Sequence, residues 1–128
     1  MTVALAMERA REIADQIDAL PLVTVSRYFA GAALRADRVQ FGFVMKGVLY
    51  LRVDESSREA FEAQGAAPFT YIGARKEVKV ASYYEAPTEV LEDPMQLNQW
   101  AERALRAAVV ASDSGRSSTA ETHLGVAP

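Results

Sequence analysis

The chain has no cysteine and only one histidine, and these two shortages exclude several kinds of chemistry. Without cysteine there can be no disulfide, no thiolate metal ligand and no cysteine nucleophile. The single histidine, His123, lies in a polar stretch near the C-terminus, whereas a general base needs a fixed position within hydrogen-bond reach of its proton. Zinc would also lack enough nitrogen and sulfur ligands. We therefore expect no metal, no cofactor and no histidine-dependent catalysis.

Long apolar runs and glycine-rich catalytic motifs are absent as well. No run approaches the roughly 20 apolar residues that span a bilayer, and the N-terminus lacks the basic-then-apolar pattern of a secretory signal. No Gly-x-Gly-x-x-Gly, P-loop or Gly-x-Ser-x-Gly pattern occurs. These observations predict a cytoplasmic protein without a membrane span, and they disfavour the enzyme classes that these motifs mark.

Half of the 128 residues are hydrophobic and 24% are charged, which is typical of one globular domain. The net charge of −3 is unevenly distributed. Between Val23 and Val53, five cationic side chains stand against one anionic side chain, a balance of +4, and the predicted helices are acidic. A basic sheet with acidic helices could present a mildly positive surface, although scattered charges that discourage strand-edge pairing explain the same pattern.

The clearest structural signal is a β-hairpin over Val39–Asp54. In its first half Val39, Phe41 and Phe43 alternate with other side chains, and in its second half Leu49, Leu51 and Val53 do so. Strict alternation is typical of strands with one buried face. Lys46-Gly47 between the halves suits a tight turn, since glycine accepts a positive φ.

The remaining segments predict helices and strands around this hairpin. Apolar spacing of three and four residues indicates a helix over Thr2–Leu20 and another after Asp93-Pro94, where Asp93 is a predicted cap. Asp54 should cap a third helix that ends near Gly65, and 87–91 suggests a short helical turn. Further strands are expected over Val23–Leu34, Phe69–Ile72 and Glu77–Tyr84, with Gly31 marking a bulge or a close backbone approach.

This order predicts an α+β two-layer sandwich with an antiparallel sheet of about five strands, in the order α-β-β-β-α-β-β-α. One sheet face should bury Phe41, Phe43, Leu49 and Leu51 under the helices. We expect the folded domain to span residues 1–111 and residues 112–128 to form a disordered polar tail.

Several segments, in this order and spacing, resemble the N-terminal domain of the TfoX/Sxy competence regulators. The resemblance covers about residues 5 to 110 and rests on Tyr28–Leu34, Phe41–Val44, Val48–Asp54, Pro68–Tyr71, Ser82–Pro87 and Leu91–Pro94, followed by Trp100-Ala101. The Met-Phe-Gly-Gly of that family stands here as Tyr28-Phe29-Ala30-Gly31. The resemblance implies a fold similar to secretion chaperones, a bacterial cytoplasmic protein that forms dimers, and a stand-alone N-terminal domain without known catalytic residues.

Simpler explanations account for the other chemically suggestive residues. Asp54-Glu55 and Glu92-Asp93 resemble carboxylate pairs, but their positions at helix starts favour capping and dipole roles. Trp100 could stack on a ligand, yet it lies on the apolar stripe of its helix, which favours core packing.

Tyrosine and cationic side chains form the candidate binding surface. Because adjacent strand residues point to opposite faces, one of Tyr83 and Tyr84 should be packed and the other more exposed. The proposed surface comprises Arg27, Tyr28, Arg38, Tyr50, Arg52, Lys79, Tyr83 and Tyr84. Aromatic and arginine side chains are enriched at the centres of protein interfaces.

Three hypotheses follow for function. The first is a non-enzymatic regulatory or protein-interaction domain that forms a homodimer or binds a protein partner. The second is a weak nucleic-acid-binding module that uses the basic sheet, which the acidic total charge disfavours. The third is a small-molecule-binding domain, which requires a pocket lined by tyrosines. The sequence does not choose the partner, the ligand or the biological process.

Overall fold

The computed structural model describes residues 2–117, and this part of the chain forms four helices and one six-stranded sheet. In chain order the elements are α1 (Val3–Gln16), β1 (Val23–Tyr28), β2 (Gly31–Ala36), β3 (Val39–Met45), β4 (Val48–Arg52), α2 (Glu55–Ala63), β5 (Pro68–Ile72), β6 (Glu77–Glu85), α3 (Thr88–Glu92) and α4 (Pro94–Ser117). The α+β class and the antiparallel sheet predicted from the sequence are confirmed.

The sheet has the strand order β1-β2-β3-β4-β6-β5, and every neighbouring pair is antiparallel. The prediction of one strand over Val23–Leu34 is wrong, because a two-residue turn at Phe29-Ala30 divides it into β1 and β2. The sheet therefore has six strands where about five were expected. The turn at Lys46-Gly47 is confirmed, and both of its residues have positive φ, 53° and 82°.

The predicted caps form at the starts of two helices. Asp54 accepts a 2.8 Å hydrogen bond from the Ser57 backbone N–H, and the Ser57 hydroxyl accepts one of 2.9 Å from the Asp54 N–H. This reciprocal pair satisfies two backbone donors at the start of α2. At the start of α4, the Asp93 carboxylate accepts hydrogen bonds from the Met95 N–H and the Gln96 amide, at 3.0 and 3.2 Å.

The first helix ends at Gln16, four residues before the end predicted at Leu20. A side chain of α4 explains this end: the Asn98 amide donates to the Gln16 carbonyl at 2.9 Å and accepts from the Ala19 N–H at 2.8 Å. These two bonds satisfy backbone groups that further helix would otherwise satisfy. A contact between residues so far apart in sequence lies beyond any local pattern.

The core lies between the helices and one face of the sheet. All four helices contribute side chains to a single buried cluster with β2, β3, β4 and β6. Trp100 packs in this cluster with its ring centroid 4.4 Å from that of Phe61, in an edge-to-face arrangement. Core packing is therefore the role of Trp100, as its place on the helix stripe predicts.

A β-bulge reverses the face on which Phe43 lies. Along β2, Leu34 pairs with Gly42 and Arg35 pairs with Gln40, so Phe41 is the extra residue of β3. The strict alternation that placed Phe41 and Phe43 together under the helices is broken at this point. Phe41 lies in the helix-side core, whereas Phe43 lies on the opposite face among aromatic rings. The prediction for Phe43 is therefore wrong, and it is confirmed for Phe41, Leu49 and Leu51.

The last helix continues through Ser117, beyond residue 111, where we predicted the folded domain to end. Helical backbone therefore replaces the beginning of the predicted tail. Residues 118–128, which include His123, lie outside the described part of the chain, and the prediction of a disordered tail there stays a prediction.

Candidate binding surface

The sheet face opposite the helices, which we call the open face, is built around Phe43. Ring centroids at 5.0 to 5.1 Å from that of Phe43 belong to Tyr28, Tyr50, Phe69 and Tyr83. Within residues 2–117 every helix contributes to the core on the other side of the sheet, and α4 also reaches this face, where Ala108, Ala111 and Ser112 lie near Tyr28 and Tyr83. Phe43 is nevertheless fully buried, because the rings of four different strands cover it.

The strands position this cluster by direct cross-strand pairing. Phe43 pairs with Tyr50 on one side and with the fully buried Ala33 on the other, and Tyr83 pairs with Arg52. Side chains that are directly opposite on antiparallel strands share a face and touch. The small side chain of Ala33 leaves room for the ring of Tyr28, which lies 5.1 Å from that of Phe43 between centroids.

Exposed aromatic side chains lie at both edges of the open face. Phe29, in the turn from β1 to β2, is 75% exposed, and its ring meets that of Tyr28 edge-on at 4.8 Å. Tyr71, on the other edge strand β5, is 39% exposed. Phe29 also has a φ of 51°, a left-handed conformation that non-glycine residues rarely adopt. A large apolar ring is thus held in solvent by a strained backbone, which often marks a functional position.

A cleft of about 480 Å³ opens beside the cluster. It lies where the open face meets the later turns of α4, and it is lined by tyrosines, arginines, small α4 side chains and their neighbours: Tyr28, Phe29, Arg38, Val39, Gln40, Arg52, Tyr83, Ala108, Ala111 and Ser112. Its volume is in the range of small-molecule sites. The cleft therefore offers the kind of pocket that the third hypothesis requires, with Tyr28 and Tyr83 in its lining.

Electrostatics at the cleft centre on Arg52 and Tyr83. The Arg52 guanidinium carbon lies 5.5 Å from the centroid of the Tyr83 ring, within cation–π range. Burial raises the pKa of the Tyr83 hydroxyl, and the nearby Arg52 charge opposes that rise. The Gln40 amide donates to the Tyr83 hydroxyl at 3.4 Å. Tyr83 is therefore a neutral hydroxyl at physiological pH.

Tyr50, on the same face, is affected by a carboxylate as well as by burial. It pairs with Glu85 on β6, and burial followed by the Glu85 charge raises the pKa of the Tyr50 hydroxyl. The open face consequently carries an acidic group, Glu85, beside the arginine, and it is not uniformly basic.

The expectation that one of Tyr83 and Tyr84 would be exposed is wrong. Both are buried, with 3% and 4% of their surface exposed, on opposite faces of β6. Tyr84 lies in the helix-side core, where its hydroxyl donates a 2.7 Å hydrogen bond to the Glu62 carboxylate. Both tyrosines are buried because helices cover one face of this strand and aromatic rings cover the other.

The structure brings some of the predicted surface residues together and separates the others. Tyr28, Tyr50, Arg52 and Tyr83 share the open face, and Arg38 lines the cleft beside them. Arg27 pairs with Ala32 of the helix-side core, so alternation directs it to the helix side. Lys79 pairs with Thr70 and lies on the side opposite Phe69. Tyr84 belongs to the core.

Sequence reasoning missed four contributors to this surface: Phe29, Gln40, Phe43 and Phe69. Alternation identifies Phe43 and Phe69 as strand residues, but it does not show which face a helix covers. The pattern over Val23–Leu34 predicts that Phe29 lies inside a strand. Gly31 is the available signal for this turn, because glycine marks positions where a chain reverses, and it directly follows the turn residues Phe29 and Ala30.

The described residues contain neither a group of metal-ligating side chains nor a helix that could cross a membrane. Within residues 2–117, no group of three or more His, Cys, Asp or Glu side chains could hold a metal ion. Over the same residues no helix is both long enough and apolar enough to cross a membrane.

Comparison with known proteins points to one family. The family model of the TfoX N-terminal domain matches residues 15–108, which includes every strand and nearly all of the core. A search of curated proteins finds no match to this chain.

Proposed function

The chain belongs to the TfoX N-terminal domain family, and from this premise we propose that it is a non-enzymatic regulatory domain that acts by protein–protein interaction. The interaction surface is the open face, and its occupant is a second copy of the chain. The observation that carries the proposal is the aromatic cluster around Phe43, which lies outside the helix-side core and carries exposed aromatic side chains at both of its edges. A cytoplasmic location is part of the proposal and accords with the absence of cysteine.

The composition of the open face supports an interface. Tyrosine, phenylalanine and arginine are the side chains that dominate the centres of protein interfaces. The half-buried rings of Tyr28, Tyr50 and Phe69 surround a fully buried Phe43, so the face is already ordered. A pre-organised surface loses little conformational entropy when a partner binds.

The distribution of exposed and charged groups favours a second copy as the partner. A two-fold interface needs a patch that contains its own complement, because residue i meets residue j and j meets i. Phe29 and Tyr71 are exposed at opposite edges of the face, and Arg52 and Glu85 supply both signs of charge. If two sheets stack about 10 Å apart and the two-fold axis exchanges these two corners of the face, Phe29 of one copy meets Tyr71 of the other.

Nucleic acid is the less favoured occupant of this face. A surface that binds phosphates needs clustered cations. Arg27 and Lys79, however, lie on the helix side of the sheet. Glu85, an anion, lies beside Tyr50 on the open face. The excess of positive charge over residues 23–53 is therefore divided between two faces.

Sedimentation velocity over a range of protein concentrations tests self-association of the full chain. We expect a reversible dimer for the wild type and a dissociation constant at least about tenfold higher for Phe29→Asn, because truncation of an interface aromatic typically costs more than about 1 kcal/mol. Asparagine tolerates a positive φ better than phenylalanine does, so the variant monomer should remain folded.

Met95→Asn provides the matched control. Met95 is 71% exposed, close to the exposure of Phe29, but it lies in the first turn of α4 on the helix layer. This control should sediment like the wild type. A wild type that remains monomeric at every concentration, or equal weakening by both substitutions, would contradict the proposal.

A further inference from the structure

Arg52 carries a hydrogen-bond donor that the described chain leaves unused. The side chain is half-buried at the end of β4, and its Nε atom is fully buried without a partner among residues 2–117. A buried donor that remains unpaired lowers stability, and more so in a charged group, so such groups in native proteins call for an explanation. The Nε atom itself is enclosed by the chain, but the half-buried side chain lines the cleft, so a ligand there would meet the terminal amino groups of the guanidinium.

The polar side chains around Arg52 are suited to an anion. Arg38 supplies a second guanidinium to the cleft, and none of the lining side chains is a carboxylate. Within the described residues, neither arginine forms an ion pair. Because the Tyr83 hydroxyl accepts its hydrogen bond from Gln40, its own proton is free to be donated to a ligand.

The rest of the cleft is suited to an apolar body. Tyr28 and Phe29 present aromatic rings on the sheet side, and Ala108 and Ala111 present small side chains on the side of α4. A site of about 480 Å³ with apolar walls and a few convergent donors is the usual form of a small-molecule site. Free inorganic phosphate would leave those walls unfilled.

We propose that this cleft binds a small organic anion, in which a carboxylate or phosphate group pairs with Arg52 and Arg38 and a flat apolar body lies between the rings and α4. Arginine suits this role because its planar fork of donors matches both anionic groups in two parallel hydrogen bonds. Every lining residue belongs to one copy of the chain, so the site is complete in a monomer, although a second copy on the open face would compete with the ligand for Tyr28, Phe29 and Arg52.

Three probes separate the contributions of charge and of apolar contact. The full chain, labelled with nitrogen-15, is titrated with phenyl phosphate, with inorganic phosphate and with phenol at constant ionic strength, while the Arg52 Nε–H resonance is followed. Phenyl phosphate should shift this resonance saturably and bind at least about tenfold more tightly than either of the other two. Benzoate in place of phenyl phosphate tells a carboxylate ligand from a phosphate ligand.

Substitutions assign the effect to the cleft. Arg52→Gln should weaken phenyl phosphate binding at least about tenfold, since hydrogen bonds between two charged groups are the strong ones. Arg38→Gln should weaken it as well, and because Arg38 is exposed in a turn, its replacement leaves the core intact. Arg11→Gln, on the exposed side of α1, is the matched control and should have no effect.

Three results would overturn the proposal. The first is no saturable shift of the Arg52 resonance with either aromatic anion. The second is equal loss of binding in the Arg38, Arg52 and Arg11 variants, which would indicate general charge screening. The third is equal binding of inorganic phosphate and phenyl phosphate, which would remove the apolar half of the site. Sedimentation without ligand measures dimer formation separately, so a failure of ligand binding is distinguishable from a failure of self-association.

Discussion

Gly31 occupies a position where any side chain would collide with the neighbouring strand. A Cβ atom at this position would overlap the carbonyl oxygen of Val44 in β3, which is backbone and cannot move aside without disturbing the sheet. The close approach lies directly after the strained turn that contains Phe29. Glycine at 31 therefore permits the reversal that exposes the Phe29 ring.

Gly31→Ala should lower the free energy of unfolding by about 1 to 3 kcal/mol or more, because overpacking a close contact displaces backbone. Gly65→Ala is the comparison. Gly65 also has a positive φ, 79°, but nothing lies within 4 Å of its missing Cβ, so only the roughly 1 to 2 kcal/mol of left-handed strain applies. Urea denaturation followed by circular dichroism measures both. The loss should be larger for Gly31→Ala than for Gly65→Ala, and a smaller loss for Gly31→Ala would contradict the role of the contact with Val44.

Residue type predicts local chemistry better than it predicts burial. A glycine within an apolar run indicated a close backbone approach, and Gly31 confirms this. Nothing in the type of Phe29 predicted a left-handed backbone, because aromatic residues are not favoured there. The burial of both Tyr83 and Tyr84 depends on what covers each face of β6, and this information lies elsewhere in the chain.

At the scale of the element, the start of α2 depends on Asp54. The Ser57 backbone N–H, followed by smaller contributions from the side chains of Ser56 and Ser57, lowers the pKa of Asp54 below its ordinary 3.8. Since the folded-state pKa is depressed, the stabilisation is fully present above pH 3.8 and is lost as the pH falls through the lower, folded-state value. The cap is thus an acid-sensitive contribution to stability.

Asp54→Ala should lower the unfolding free energy by about 1 kcal/mol at pH 7, and this difference should shrink below pH 3.8. Denaturation of both proteins at neutral and acidic pH measures the effect. Glu59→Ala, an exposed position later in α2, should be nearly neutral at both. A cost for Asp54→Ala that stays constant with pH would contradict the role of the charged carboxylate.

Elements with local signals were predictable, and irregularities within elements were not. The caps at Asp54 and Asp93 follow from side-chain chemistry within three residues, so the sequence identifies them. The bulge at Phe41 has no such signal, since both faces of β3 are apolar and either register looks acceptable. The end of α1 is likewise determined by Asn98, a residue of the last helix.

At the scale of the molecule, the two-layer architecture follows from the order of helices and strands, but the sheet order does not. Consecutive strands pair from β1 to β4, as the short turns require. Beyond α2 the chain passes β4 and adds β5 at the edge, so that β6 returns between them. This placement brings Phe69 and Tyr83 beside Phe43. The open face is therefore a product of tertiary structure, and only its separate tyrosines and arginines were visible in the sequence.

Dipolar distance measurement by electron spin resonance tests most directly whether two copies meet through the open face. The absence of native cysteine allows one spin label at a time, at Thr24→Cys on the open-face side of β1 or at Glu8→Cys on the exposed surface of α1. In a face-to-face dimer the Thr24 labels should be closer to each other than the Glu8 labels, because two helix layers separate the latter. A shorter distance between the Glu8 labels, or no dipolar coupling at either position, would contradict the account.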